Sequence, residues 1–184
     1  MTTRAISLAA CTVAAFLLAI PPAHAVDPAP CINGESESRS KSAVDEGEIR
    51  WTDATKYDAS RTWALSTWQY SGAKIKLAPD SATTVNDLEF QDYTGPSGDR
   101  DPVASYVRDS GVGRTDFIRF NRSKMDGRNR AYQDSAAAHE VGHALGLCHK
   151  DGKILSLMWT SINVGMPVTE PQPVDKANYK KLWG

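Results

Sequence analysis

Histidine is nearly absent from this chain, with four in 184 residues, and cysteine is scarcer still, with three. Neither sign of charge dominates: 21 Lys and Arg stand against 22 Asp and Glu. That balance gives no electrostatic footprint for nucleic acid or for a membrane surface, so neither is expected as a partner. Long apolar runs are missing except for Ala5 to Ile20, which is short for a bilayer span. No internal repeat and no second domain are evident.

What is present at the N-terminus reads as a targeting segment. Arg4 supplies a positive start, Ala5 to Ile20 an apolar core, and Pro21-Pro22 a helix break. Ala23-His24-Ala25 has the small-x-small form of a cleavage site. A signal peptide over 1–25 is therefore expected, and with it a secreted protein. A membrane anchor is the competing reading, and no long apolar stretch follows to favour it. Cleavage would remove Arg4 alone among the charges, leaving 20 basic and 22 acidic residues. The remainder is one domain's worth of sequence.

Export gives the cysteines meaning. Cys31 and Cys148 would survive cleavage, and an even pair in an oxidising compartment is most simply one disulfide. Two other arrangements stay open: Cys31 could reach a metal as a thiolate and hold the protein latent, or Cys148 could be a free buried thiol.

Residues 26–47 are polar and read as an irregular arm or a short propeptide, ahead of a domain over 48–184. Glu48 to Trp51 suggests a first strand. Asp58 or Ser60 could cap a helix with Ala64, Leu65 and Trp68 on one face, ended by Ser71-Gly72. Alternation marks strands at Lys74 to Leu77, within Thr84 to Tyr93, and around Ile118 to Phe120. Thr94 to Asp99 and Ser110 to Gly113 read as loops. A second helix is expected from about Asn129 to Leu145. Strand, helix, several strands, helix implies an α+β layer.

That second helix carries the chemistry. The run His139-Glu140-Val141-Gly142-His143-Ala144-Leu145-Gly146-Leu147-Cys148-His149 has the spacing H-E-x-x-H-x-x-G-x-x-H. Residues four apart share a helix face, so His139 and His143 can bind one ion side by side. Ala137, Val141, Ala144 and Leu145 form the face that would pin the helix to the core. Gly146 tolerates the left-handed backbone of a helix stop, which lets His149 swing back as a third ligand. Three imidazoles leave a fourth position open, as in catalytic zinc sites. Glu140 stands beside that face, placed to act as general base on a zinc-activated water and then as general acid. The plainer alternative is a helix whose histidines bind nothing, and the gathering of all three around one glycine weighs against it.

With these residues in view, the chain resembles a metzincin, a zinc metalloprotease defined by this extended motif and a downstream methionine turn. Ser156-Leu157-Met158-Trp159 is the turn that the resemblance implies, with Met158 beneath the histidines. Met158 could otherwise be an ordinary core methionine. Within that clan the chain is similar to the matrixin-like branch. Ala136 to Ala138 precede the motif, Ala64, Leu65 and Trp68 mark the first helix, and Asp175 to Gly184 is similar to the last. The resemblance implies an α+β, zincin-like catalytic domain: a twisted mixed β-sheet with an active-site helix, a Met-turn and a C-terminal helix. Many matrixins hold a second, structural zinc partly by histidine, and no histidine remains here for one. Trp159 stands where some metzincins have a tyrosine. Calcium is possible near Asp92, Asp99 and Asp101, although acidic loops are usually just solvated.

The expectation is a secreted, monomeric, zinc-dependent endopeptidase with one catalytic zinc, acting on protein or peptide substrates. The resemblance further implies that the substrate would lie along an edge strand and that Thr160 to Asn163 would wall the pocket beyond the cut. Two other classes remain: a zinc-containing binding or toxin-like module, and a zinc amidase acting on a non-protein amide.

Overall fold

A computed structural model describes residues 26–98, 100–109, 114–162 and 165–184. The expected signal peptide, Asp99, Ser110 to Gly113, and Asn163 lie outside the described residues. The ordered elements are β1 (Glu48–Ala54), α1 (Asp58–Thr67), β2 (Lys76–Pro79), β3 (Leu88–Tyr93), β4 (Ala104–Val107) and β5 (Asp116–Asn121). A one-turn helix α2 (Arg122–Met125), the long helix α3 (Arg130–Ala144) and α4 (Pro173–Trp183) complete them. The arm before β1 is irregular except for a short 3-10 turn at Arg39–Lys41. No helix among the described residues is long and apolar enough to cross a membrane.

The sheet has five strands in the order β2-β1-β3-β5-β4. The first four run parallel, and β4 pairs antiparallel to β5, with Ala104 opposite Phe120 and Val107 opposite Phe117. Alternation on β3 and β5 drives Leu88, Phe90, Ile118 and Phe120 inward, all fully buried. Helices cover that inner face. This is the α+β layer that the order of elements implied, with a mixed sheet. β4 is an addition: Ala-Ser-Tyr-Val is short, and with only Ala104 buried and the other three half-buried it has no alternation to read in the sequence.

Two local expectations need correction. Neither Asp58 nor Ser60 caps α1. Tyr57 occupies the cap position without a side-chain bond, and Ser60 is buried as part of the packed face. The helix also ends at Thr67, before Ser71-Gly72, with Trp68 as its cap residue. Trp68 is buried because its ring packs inward and its Nε1–H donates to the Ala138 carbonyl of α3 at 2.8 Å. That bond ties α1 to the helix behind the site.

α3 starts where the sequence places it. The Asn129 side chain accepts from Tyr132 N at 2.9 Å, satisfying one free N–H of the first turn. The expected apolar face is buried as a set, Ala137, Val141, Ala144 and Leu145 all being at most 1 % exposed. Burial goes further than amphipathicity suggests, because Ala136, Ala138, His139 and Glu140 are buried too. α3 is a central helix, enclosed by α1 on one side and the β4–β5 edge on the other.

Candidate metal centre

The end of α3 is shaped by two glycines. Gly146 has φ +85°, a left-handed conformation that a side chain would strain. Its N–H donates to the His143 carbonyl at 2.8 Å, and Leu147 N donates to Gly142 O at 3.0 Å, closing the helix and turning the chain back. Gly142 has a different task. A Cβ there would collide with Met158 Sδ and crowd the Trp68 ring. Its bare backbone lets the fully buried Met158 pack against the helix between the turns that carry His139 and His143.

The turn brings the three imidazoles together. Nε2 of His143 lies 3.0 Å from Nε2 of His139 and 3.1 Å from Nε2 of His149. The opposite ring nitrogens are all engaged. Nδ1 of His139 meets Leu157 O at 2.8 Å, Nδ1 of His143 meets Leu147 O at 2.9 Å, and Nδ1 of His149 meets Glu35 Oε1 at 2.9 Å. Carbonyl and carboxylate oxygens only accept, so each Nδ1 carries a proton, and a ring neutral in that tautomer turns a lone pair inward at Nε2. Burial holds His139 neutral, pushing its pKa well below the usual histidine value with help from His143 beside it. Burial likewise brings His143 down to about 4. Nε2 of His139 and of His149 each lie about 3 Å from that of His143, and the three ring nitrogens fit around one cation. Nitrogens each about 2.0–2.1 Å from a tetrahedral zinc have nearly this spacing.

Glu140 sits one residue past His139 and is buried. Its Oε2 accepts from Tyr106 N of β4 at 2.7 Å. Burial raises its pKa to about 8, and the Tyr106 bond opposes this. A cation at the imidazoles would pull it down again, toward the neutral range a general base needs.

The histidines and Glu140 line a cleft of about 660 Å³. One wall is Val103 to Tyr106 of β4 and its approach, and the other runs from Trp159 to Ile162. Among the described residues β4 pairs only with β5, and Ala104, Ser105 and Tyr106 of this edge strand line the cleft. Trp159 uses its indole N–H on the Ile154 carbonyl. Of the suggested pocket wall, Thr160, Ser161 and Ile162 line the cleft, and Asn163 lies outside the described residues.

Several supporting residues escaped the sequence reading. Asp175, noted only as the start of a final helix, accepts from Gln172 N at 2.9 Å, Leu157 N at 2.7 Å and Ser156 Oγ at 2.5 Å. It therefore locks the Met158 turn to α4, and through Leu157 it sets the carbonyl that steers His139. Glu35 and the fully buried Lys150 were missed as well. Lys150 Nζ donates to Glu37 Oε1 at 2.6 Å and to Ala29 O at 3.0 Å. Cys31 and Cys148 are joined as a disulfide, with Cα atoms 5.7 Å apart, which decides among the three arrangements left open. Glu37 lies beside that bridge. The aspartates considered for calcium do not converge among the described residues. Asp92 accepts from the Thr55 hydroxyl and from Lys56 N at 2.9 Å, while Asp101 accepts from Gly98 N at 2.8 Å.

A mixed sheet with an edge-strand cleft, a helix and glycine stop that gather three histidines, and a buried methionine turn behind them define a metzincin catalytic domain. The matrixin (peptidase M10) family model matches residues 23–184. The chain belongs to the matrixin family, and so to the zinc-dependent metallopeptidases. No curated protein matches it.

Proposed function

We propose that the chain is a secreted zinc endopeptidase in which His139, His143 and His149 hold the ion and Glu140 moves the proton. One observation carries this reading: three Nε2 lone pairs, each fixed by a partner on Nδ1, converge beside a buried carboxylate on the floor of an open cleft. Zinc bound there would polarise a carbonyl and acidify a coordinated water. The Tyr106 N–H anchors one oxygen of Glu140, and the other takes a proton from the attacking water and returns it to the leaving amine. The outer edge of β4 suits an extended peptide, which would add as a further strand and pass its scissile bond over Glu140. Thr160 to Ile162 would wall the pocket beyond the cut. Met158 and Gly146 are supports: one fills the space behind the helix, the other turns the chain so that His149 can face the ion.

Export rests on Arg4, the apolar run to Ile20 and the Ala23-x-Ala25 site, and the disulfide suits an oxidising compartment. The activity is tested by incubating the protein from Val26 onward with a peptide library, with and without a chelator, and mapping the cuts. The expected result is cleavage at internal bonds that stops on chelation and returns with zinc. Cleavage only of terminal residues would contradict an endopeptidase, and cleavage of no peptide would favour the non-protein amide or a module that cuts nothing.

A further inference from the structure

The three imidazoles differ in what steers them. His139 and His143 turn Nδ1 to backbone carbonyls that belong to the helix exit and the methionine turn. His149 is steered by a charged side chain from 114 residues away. Glu35 Oε1 accepts from its Nδ1 at 2.9 Å, and Glu35 Oε2 accepts from its backbone N at 2.9 Å. Ile32 N donates to its carbonyl at 3.2 Å. The ring, the N–H and the C=O of this one residue are thus all fixed by the arm.

The arm in turn is fastened on both sides of Glu35. Cys31 is bonded to Cys148, the residue immediately before His149. Ser38 N donates to Gly146 O at 3.0 Å, and Ala43 N to Ala144 O at 2.8 Å. Ala29 is held by Asn178 and Lys150, and Lys150 is paired with Glu37.

We propose that Glu35 is the positioning residue of the third metal ligand, that the Cys31–Cys148 bond tethers it in place, and that residues 26–47 are accordingly part of the working site. This rests on the reading of the three histidines as a zinc site. The physical reason is the position of His149. It follows a helix stop, so no helix backbone fixes it as one fixes His139 and His143. A carboxylate that accepts from both its ring and its backbone supplies that missing constraint, selects the Nδ1–H tautomer and strengthens Nε2 as a donor to the ion. Loss of such an outer partner weakens metal binding by about 10–100-fold.

The test measures zinc affinity by competition with a chromophoric chelator, together with the unfolding midpoint of each chelated protein. The proteins are wild type, Glu35→Ala, Glu35→Gln, Cys31→Ser/Cys148→Ser, and the last combined with Glu35→Ala. Wild type is expected to bind one zinc. Glu35→Ala should bind it about 10–100-fold more weakly, with its chelated form unfolding close to wild type. Glu35→Gln should lie between, since its amide keeps one acceptor oxygen for two N–H donors. The serine pair should weaken binding, and adding Glu35→Ala to it should cost less affinity than in wild type. Affinities of Glu35→Ala and Glu35→Gln within twofold of wild type would overturn the proposal, including the case where only the chelated midpoint falls. Glu35→Gln, nearly isosteric, decides the matter if the alanine variant does not fold. A wild type that binds no zinc would remove the zinc-site reading and this inference with it.

Discussion

At the scale of single residues, the site depends on groups that must stay neutral or bare until an ion arrives. His139 and His143 achieve this through burial, with Nδ1 turned to a backbone oxygen. Glu140 shows the cost of burying a carboxylate. Its folded pKa of about 8 lies above the unfolded value of 4.5, so protonation favours the folded state. The stability this contributes is fully present below pH 4.5 and is lost as pH rises through 8. In chelated protein, Glu140→Gln is therefore expected to melt higher than wild type at pH 8.5, by an amount worth a few kcal/mol. By pH 5 the gap should close. Melting curves at the two pH values check this, and equal gaps at both would contradict it. The motif residues were legible because their chemistry follows from spacing along one helix. Gly142 was visible only as an unconstrained position in that motif. A glycine inside a helix costs about 1 kcal/mol, which was the available hint that something packs there. The packing partner, Met158, comes from another part of the chain and so left no local trace.

At the scale of elements, the long periodic pieces were readable and the short or long-range ones were not. α3 kept its expected start and stop because Asn129 and Gly146 act on their own neighbours. β4 is four residues and was missed, yet it supplies the N–H that holds Glu140 and the edge that borders the cleft. Its identity as a strand comes from pairing with β5, not from its own pattern. The cap of α1 was misjudged because Asp58 and Ser60 both suit a cap in isolation, while packing drew Ser60 into the interior. α4 matters through Asp175, whose carboxylate holds its own first turn and the Ser156–Leu157 segment together. Asp175→Ala would leave the buried Leu157 N–H unpaired. Urea denaturation of the zinc-loaded variant should show a loss of about 2–4 kcal/mol. A loss under 0.5 kcal/mol, within the range of an ordinary surface change, would mean that the tether contributes little.

At the scale of the whole molecule, one arm closes the structure. Residues 26–47 cross from α4 to the exit of α3 and end in β1, so the chain's N-terminal part buttresses the loop bearing His149. The sequence suggested the Cys31–Cys148 bridge on compartment and parity. It gave no sign that the arm between them carries Glu35 to a ligand, because an acidic residue in a polar segment looks the same whether solvated or clamped. The bridge spans a sequence separation of 117. Cys31→Ser/Cys148→Ser should accordingly lose about 3–5 kcal/mol of stability by the chain-entropy argument. Chemical denaturation under non-reducing conditions measures it. A variant as stable as wild type would show that the arm's hydrogen bonds alone hold the fold.

The most direct test of the account is the rate of internal peptide-bond hydrolysis by zinc-loaded Glu140→Ala against wild type, with zinc content measured on the same samples. The prediction is one zinc per chain in both and a rate lower by about 10²–10⁴-fold in the variant. Hydrolysis at the wild-type rate with zinc bound would contradict the role given to Glu140 and the reaction built on it.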